Sequence, residues 1–109
     1  MLGNLKTVLL GNGVSQASRA RLMGWLALST TGAASLRAGV PGDWAVGDKT
    51  GRMDSSDPTK GATNDIAIIT PPGRKPILVA AYTMGGRGDA AARQAVLADI
   101  GRIVAARFA

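Results

Sequence analysis

The sequence predicts an α+β fold: short N-terminal helices, a three-stranded antiparallel sheet, then one long C-terminal helix. Three observations predict it. Apolar residues recur at helical spacing at both ends of the chain, and the middle switches to strand-like alternation and β-branched runs. Glycine or proline punctuates the changes between segments. The chain has 109 residues, about one small domain, and buries a core with little margin.

Leu2, Leu5 and Leu9 fall at helical spacing over residues 2–10, and Gly11 is a stop. Ser15 is placed to cap a second helix, with Leu22, Trp25, Leu26 and then Leu28 as its apolar stripe. Thr30-Thr31-Gly32 breaks that helix, and a short helical turn over 33–37 ends at Gly39-Val40-Pro41. Trp44, Val46 and Asp48 then alternate with Ala45, Gly47 and Lys49, which suits a strand, with Trp44 expected in the core beside the helices. Residues 52–63 read as a polar loop containing Asp54, Ser55, Ser56, Asp57, Pro58 and Gly61. Residues 65–70 form a β-branched run, Pro71-Pro72-Gly73 a turn, and residues 76–83 a third strand. Both later strands are apolar on both faces, so each side of the sheet should be covered. Gly85-Gly86 breaks the chain again, and Asp89 can cap the final helix. Its expected stripe is Ala92, Val96, Ile100, Ile103 and Arg107, with Leu97 and Val104 beside it.

Composition excludes several chemistries. There are no cysteines and no histidines, and all seven acidic residues are aspartates. Disulfides, thiolate nucleophiles, Ser-His pairs and a glutamate base are therefore absent from this chain, and a transition-metal site is not expected. The net charge is +6, but the nine arginines and four lysines are dispersed and one Tyr and one Phe leave little for base stacking. That argues against a nucleic-acid partner. No apolar run reaches the length of a membrane span, so no membrane partner is expected. The N-terminus as written lacks the marks of a signal peptide.

The sharpest local signal is Asp48-Lys49-Thr50-Gly51 at the end of the first strand. Lysine supplies a fixed positive charge, and the threonine hydroxyl can donate to or accept from a bound carboxylate or amide. Glycine lets a ligand backbone lie close against the strand edge. The next residue, Arg52, can offer its backbone N–H to a developing oxyanion. Alone, the tripeptide equally suits a strand running into a polar loop, because a short motif needs context.

The context is extensive. The run Leu-Arg-Ala-Gly-Val-Pro-Gly-Asp-Trp-Ala-Val-Gly-Asp-Lys-Thr-Gly over 36–51 resembles the segment leading into the Lys-Thr-Gly motif of class A serine β-lactamases, the penicillinase family. Thr30-Thr31-Gly32, the stretch Thr63-Asn64-Asp65-Ile66-Ala67, the strand 76–83 and the last helix are similar to that family's elements too. Upstream, Leu5, Leu9, Leu10, Gly11, Ser15, Arg19, Leu22 and Trp25 resemble the two helices after its omega loop. The resemblance implies a single partial domain over 1–109, the C-terminal part of the β-lactamase/DD-peptidase-like fold. Residues 1–40 would be the helical segment after the omega loop, and 43–109 the β-meander and C-terminal helix.

The resemblance also implies roles. Lys49 and Thr50 would bind the substrate carboxylate and keep the nucleophile site positively biased. Gly51 would let the drug's acyl amide align along the strand, and the Arg52 backbone N–H would be one of two oxyanion donors. Arg37 and Asp48 would form an internal ion pair that supports the lysine strand without taking part in the chemistry. No cofactor and no metal are implied. The partners implied are a β-lactam substrate in the full-length enzyme and the missing N-terminal part of the same fold. The family implies a periplasmic or secreted location, whereas the chain as written, lacking a signal peptide, is expected to stay in the cytoplasm.

The departures are specific. The family set also needs Ser-x-x-Lys, Ser-Asp-Asn and an omega-loop glutamate, and none is present. The nucleophile is thus absent, and no catalytic residue is expected within this chain. Arg52-Met53 replaces the small residues usual after the motif, and the loop to Gly61 is longer. Where members of the family place an arginine for the substrate carboxylate, this chain has Ser35, Thr63 and Gln94, so the Arg52 side chain is the substitute expected. Met1, Leu5, Leu9 and Gly11 match the family's helix in register, so the chain is expected to begin at an internal methionine of a longer reading frame. Its third strand would then show a bare edge and the last helix exposed apolar surface, leaving the isolated chain marginal. The alternatives are a related penicillin-recognising peptidase or glutaminase, a small basic nucleic-acid-binding or interaction protein, and an inert gene remnant.

Overall fold

The computed structural model describes residues 1–86 and 88–109. Helix α1 (Leu2–Leu5) runs into a π-helical turn (Lys6–Leu10), followed by α2 (Gln16–Ala27) and a 3-10 turn (Leu36–Gly39). Strand β1 (Ala45–Met53), a second 3-10 turn (Pro58–Lys60), β2 (Ala62–Thr70), β3 (Ile77–Met84) and the long helix α3 (Ala90–Phe108) complete the chain. The strands form one antiparallel sheet in the order β1-β2-β3. This is the α+β arrangement that the sequence predicts. Among the described residues, no helix is long and apolar enough to cross a membrane.

Helices cover both sheet faces, which is why β2 and β3 carry apolar residues at odd and even positions alike. On one face, Val46, Ala67, Ile69 and Ala81 pack with Leu36 of the 3-10 turn and Leu97 of α3. Trp44 lies half-buried against this cluster. On the other face, Ile68 packs with Leu5 and Leu9, and Leu22, Leu26, Ile66 and Leu78 complete the layer.

The helix caps form where the sequence places them. The Ser15 hydroxyl accepts from the Ser18 backbone N–H at 3.1 Å, and the Asp89 carboxylate from that of Ala92 at 3.0 Å. Gly11 leaves the helical region with an extended backbone and ends the first helical stretch.

Several boundaries and phases differ from the sequence reading, the third strand running over Ile77–Met84 instead of 76–83. The turn expected over 33–37 forms at Leu36–Gly39, because the buried Asp65 carboxylate holds the Leu36 N–H and sets its start. β1 continues past Gly51 to Met53, and β2 begins at Ala62, so the polar loop shrinks to 54–61. Backbone pairing alone sustains those extra rungs, which need no apolar side chains. In α2, Leu22 and Leu26 face the sheet, but Trp25 is 64% exposed and Leu28 79%. Trp25 sits one helical step from Leu26, a rotation of about 100°.

The stripe of α3 is rotated as well. Val96 and Ile103 face outward, and the buried row is Arg93, Leu97, Ala98, Gly101 and Ala105. The cause is a tight crossing of α3 over the 3-10 turn. A Cβ on Gly39 would lie 2.0 Å from the Ala98 carbonyl oxygen, and one on Gly101 would lie 2.3 Å from the Leu36 carbonyl oxygen. Small residues therefore occupy the inward face, and bulkier ones are turned away.

Candidate functional site

β1 is an outer strand of the sheet, so one of its backbone edges is unpaired within the sheet. The run Lys49–Gly51 lies on that strand with Lys49 and Gly51 exposed, opposite Ile66, Asp65 and Asn64 of β2. Successive side chains point to opposite faces. Lys49 lies on the α1/α2 side, where it borders an apolar cavity of about 360 Å³ with Leu5, Leu9 and Trp25. Its Nζ donates to the Thr50 carbonyl at 2.6 Å. Thr50 lies on the α3 side, half-buried, and its hydroxyl shares a 2.7 Å hydrogen bond with that of Thr31. A Cβ on Gly51 would meet nothing within 4 Å, so space beside the strand is open there.

Beneath this edge lies a buried ionic cluster. Arg37 Nη2 donates to Asp48 Oδ1 at 2.7 Å, with Asp48 fully buried and Arg37 partly so. The other Asp48 oxygen occupies the space that a side chain on Gly32 would need, since a Cβ there would fall 1.6 Å away. The Thr31-Gly32 pair thus serves two purposes: a hydroxyl for Thr50 and a seat for the Asp48 carboxylate.

Asp65, fully buried on the same face of β2, accepts the Leu36 N–H on Oδ2 at 3.1 Å. Asp48 Oδ2 and Asp65 Oδ1 have no hydrogen-bond partner among the described residues. Burial, reinforced by the neighbouring Asp48 carboxylate, pushes the Asp65 carboxyl up to about 7, against the opposing Leu36 N–H and Arg37 charge. The Asp65 carboxyl therefore stays protonated well above the range of an ordinary carboxylate.

The sequence-identified residues Arg37, Asp48, Lys49, Thr50, Gly51 and Arg52 are close in space, but the Arg52 side chain turns to Asp54. Arg52 Nε and Asp54 Oδ1 are 2.7 Å apart, both exposed. Of the three positions considered for a substrate-binding arginine, Ser35 is buried, Gln94 half-buried, and Thr63 buried beneath Arg93. Sequence reasoning missed Asp65 and Arg93. The signal for Asp65 was available: an aspartate opening a β-branched run, with a pairing register that sets it diagonally across from Asp48. Nothing local distinguished Arg93 from the other arginines.

The arrangement presents one ammonium, a hydroxyl pair and a backbone edge, with no acylatable serine beside them. It can grip an anion and align an extended ligand; it holds no nucleophile–base pair.

Known proteins share both sequence and geometry. A family model described as the beta-lactamase enzyme family matches residues 1–108. The chain is 43% identical over 104 residues to beta-lactamase OXY-1 of Klebsiella oxytoca, covering 95% of this chain and 34% of that protein. It is 45% identical over 100 residues to beta-lactamase CTX-M-25 of Escherichia coli, covering 92% and 33%. Among solved structures, an ancestral Gram-negative class A beta-lactamase superposes with a TM-score of 0.90 at 50% identity, over 99% of this chain and 40% of that one. A beta-lactamase from Xanthomonas campestris gives 0.89 at 44% identity, over 100% and 39%. The chain spans about a third of the length of the curated relatives it matches. With a family model matched along nearly its whole length and class A relatives at these identities, the chain belongs to the class A β-lactamase family.

Proposed function

We propose that this chain is the C-terminal part of a class A β-lactamase and supplies the strand that binds the anionic end of a β-lactam. Lys49 and Thr50 bind the substrate carboxylate, Gly51 leaves room for the acyl amide, and the Arg52 backbone N–H donates to the oxyanion. Arg37 and Asp48 hold the strand from beneath. Residues 1–40 are the helical segment after the omega loop, and 43–109 the meander and last helix. The observation that carries this reading is an exposed lysine on an open strand edge, beside a hydroxyl pair, above a buried ion pair.

Hydrolysis requires an acylatable serine, its activating lysine and a deacylating base, which this chain lacks. The partner that completes the site is the N-terminal remainder of the same fold. The complete enzyme is periplasmic or secreted and confers antibiotic resistance by hydrolysing β-lactams. The test is nitrocefin turnover by the purified chain, expected to be nil, together with a search upstream for an in-frame Ser-x-x-Lys. A serine-type burst from the chain alone overturns the division of labour, and an upstream frame without that motif overturns the assignment.

A further inference from the structure

Arg93 is a buried cation that forms no ion pair among the described residues. It is 8% exposed, and no carboxylate lies within 4.0 Å among the described residues, since none of the ion pairs includes it. Burying a cation without a counter-charge is costly, yet the fold holds this one in place. Its Nε donates to the buried Thr63 hydroxyl at 3.2 Å and its Nη1 to the Gly88 carbonyl at 3.4 Å. The guanidinium lies against Gly61, where a Cβ would fall 2.7 Å from Nη2. Nη2 itself has no hydrogen-bond acceptor among the described residues.

The guanidinium borders a cavity of about 380 Å³, separate from the Lys49 side of the sheet. Two further features of this cavity suit an anion. Ala90, in the first turn of the 19-residue helix α3, lines it, and first-turn N–H groups have no partner within their helix and carry partial positive charge. Arg52 lines it as well. Two carboxylates also line the cavity, and each has a partner. Asp89 caps α3 through the Ala92 N–H, and Asp54 pairs with Arg52. The Asp54–Arg52 pair is exposed on both sides, so little is lost when an incoming anion replaces Asp54.

We propose that this cavity is a binding site for a small oxyanion, a phosphate, sulfate or carboxylate group, held by Arg93 with the α3 N-terminus and Arg52. The site does not rest on the β-lactam reading: Lys49 and Thr50 take no part in it, and it uses the Arg52 side chain, whereas that reading uses the Arg52 backbone N–H. The ligand is an oxyanion because the fork of a fixed guanidinium matches two oxygens of such a group, and helix N–H groups serve the remainder.

Calorimetric titration of the purified chain with inorganic phosphate tests this, with sodium chloride holding the ionic strength constant and acetate as a second probe. Saturable one-site binding is expected, weakened about tenfold or more in Arg93→Met and several-fold in Arg52→Gln. If Arg93→Met does not fold by circular dichroism, the exposed Arg52→Gln variant alone decides. Acetate competing with phosphate extends the site to carboxylates, whereas phosphate binding without acetate competition confines it to tetrahedral anions; both support it. No saturable heat with either probe overturns the proposal. So does binding that persists undiminished in the folded Arg93 and Arg52 variants, or binding lost instead in Lys49→Ala.

Discussion

Replacing Asp65 by asparagine removes an ionisable group from the buried carboxyl pair while keeping its shape. The Asp65 carboxyl sits at about 7 in the folded chain against an ordinary value of 3.8. Its raised position means that the folded state binds the proton more tightly than the unfolded one. Below about pH 4 the group is protonated in both states and imposes no penalty. From there to about pH 7 the folded chain holds a proton that the unfolded chain has lost, so stability falls as pH rises. At tenfold per 1.36 kcal/mol, the full penalty above pH 7 is on the order of 4 kcal/mol, a large share of a small domain's stability. Asparagine keeps an oxygen for the Leu36 N–H and offers its amide N–H to the orphan oxygen of Asp48. The expected outcome is a chain whose midpoint of urea unfolding, followed by tryptophan fluorescence, changes little between pH 5 and pH 8. Wild type loses roughly 2–4 kcal/mol over that interval, as the linkage relation requires. A wild type equally stable at both values, or a variant weaker than wild type at pH 8, would refute the raised Asp65 carboxyl.

Other outcomes follow from the same structure. Leu97→Ala, at a fully buried position between α3 and the sheet, should cost about 2–5 kcal/mol in urea unfolding. Gly101→Ala should cost about 1–3 kcal/mol or more, because its new methyl meets backbone that cannot move aside; an unchanged midpoint would mean that the crossing is looser than described. Arg37→Ala strands the Asp48 carboxylate beneath the strand and should cost about 3–5 kcal/mol. Lys49→Ala, at an exposed side chain, should move stability by no more than about 0.5 kcal/mol. In the enzyme reconstituted with its N-terminal remainder, it should raise KM for an anionic β-lactam, as steady-state kinetics would show.

Periodicity revealed what depends on side-chain alternation and on capping: the strand around Val46, the β-branched run of β2, and the helix starts at Ser15 and Asp89. It failed where packing is set by what is small. The inward row of α3 contains Arg93, Ala98, Gly101 and Ala105, residues that a hydrophobicity pattern sends outward, and the rotation is imposed by backbone contact with Gly39. Helical spacing puts Trp25 on the apolar stripe, yet Leu22 and Leu26 already fill the inward face. At the site, Lys49, Thr50 and Gly51 were readable because the motif is contiguous. Asp65 was not, because its role arises only when two strands come into register.

The two glycines at the crossing of α3 and the 3-10 turn have a mechanical consequence. With no side chains between them, helix and turn are in backbone contact and have no compressible layer to absorb movement. A tilt of α3 is passed to Gly39, then to Arg37 two positions earlier, and through its guanidinium to the carboxylate under Lys49. The turn is thus the fulcrum through which the last helix bears on the strand that carries Lys49.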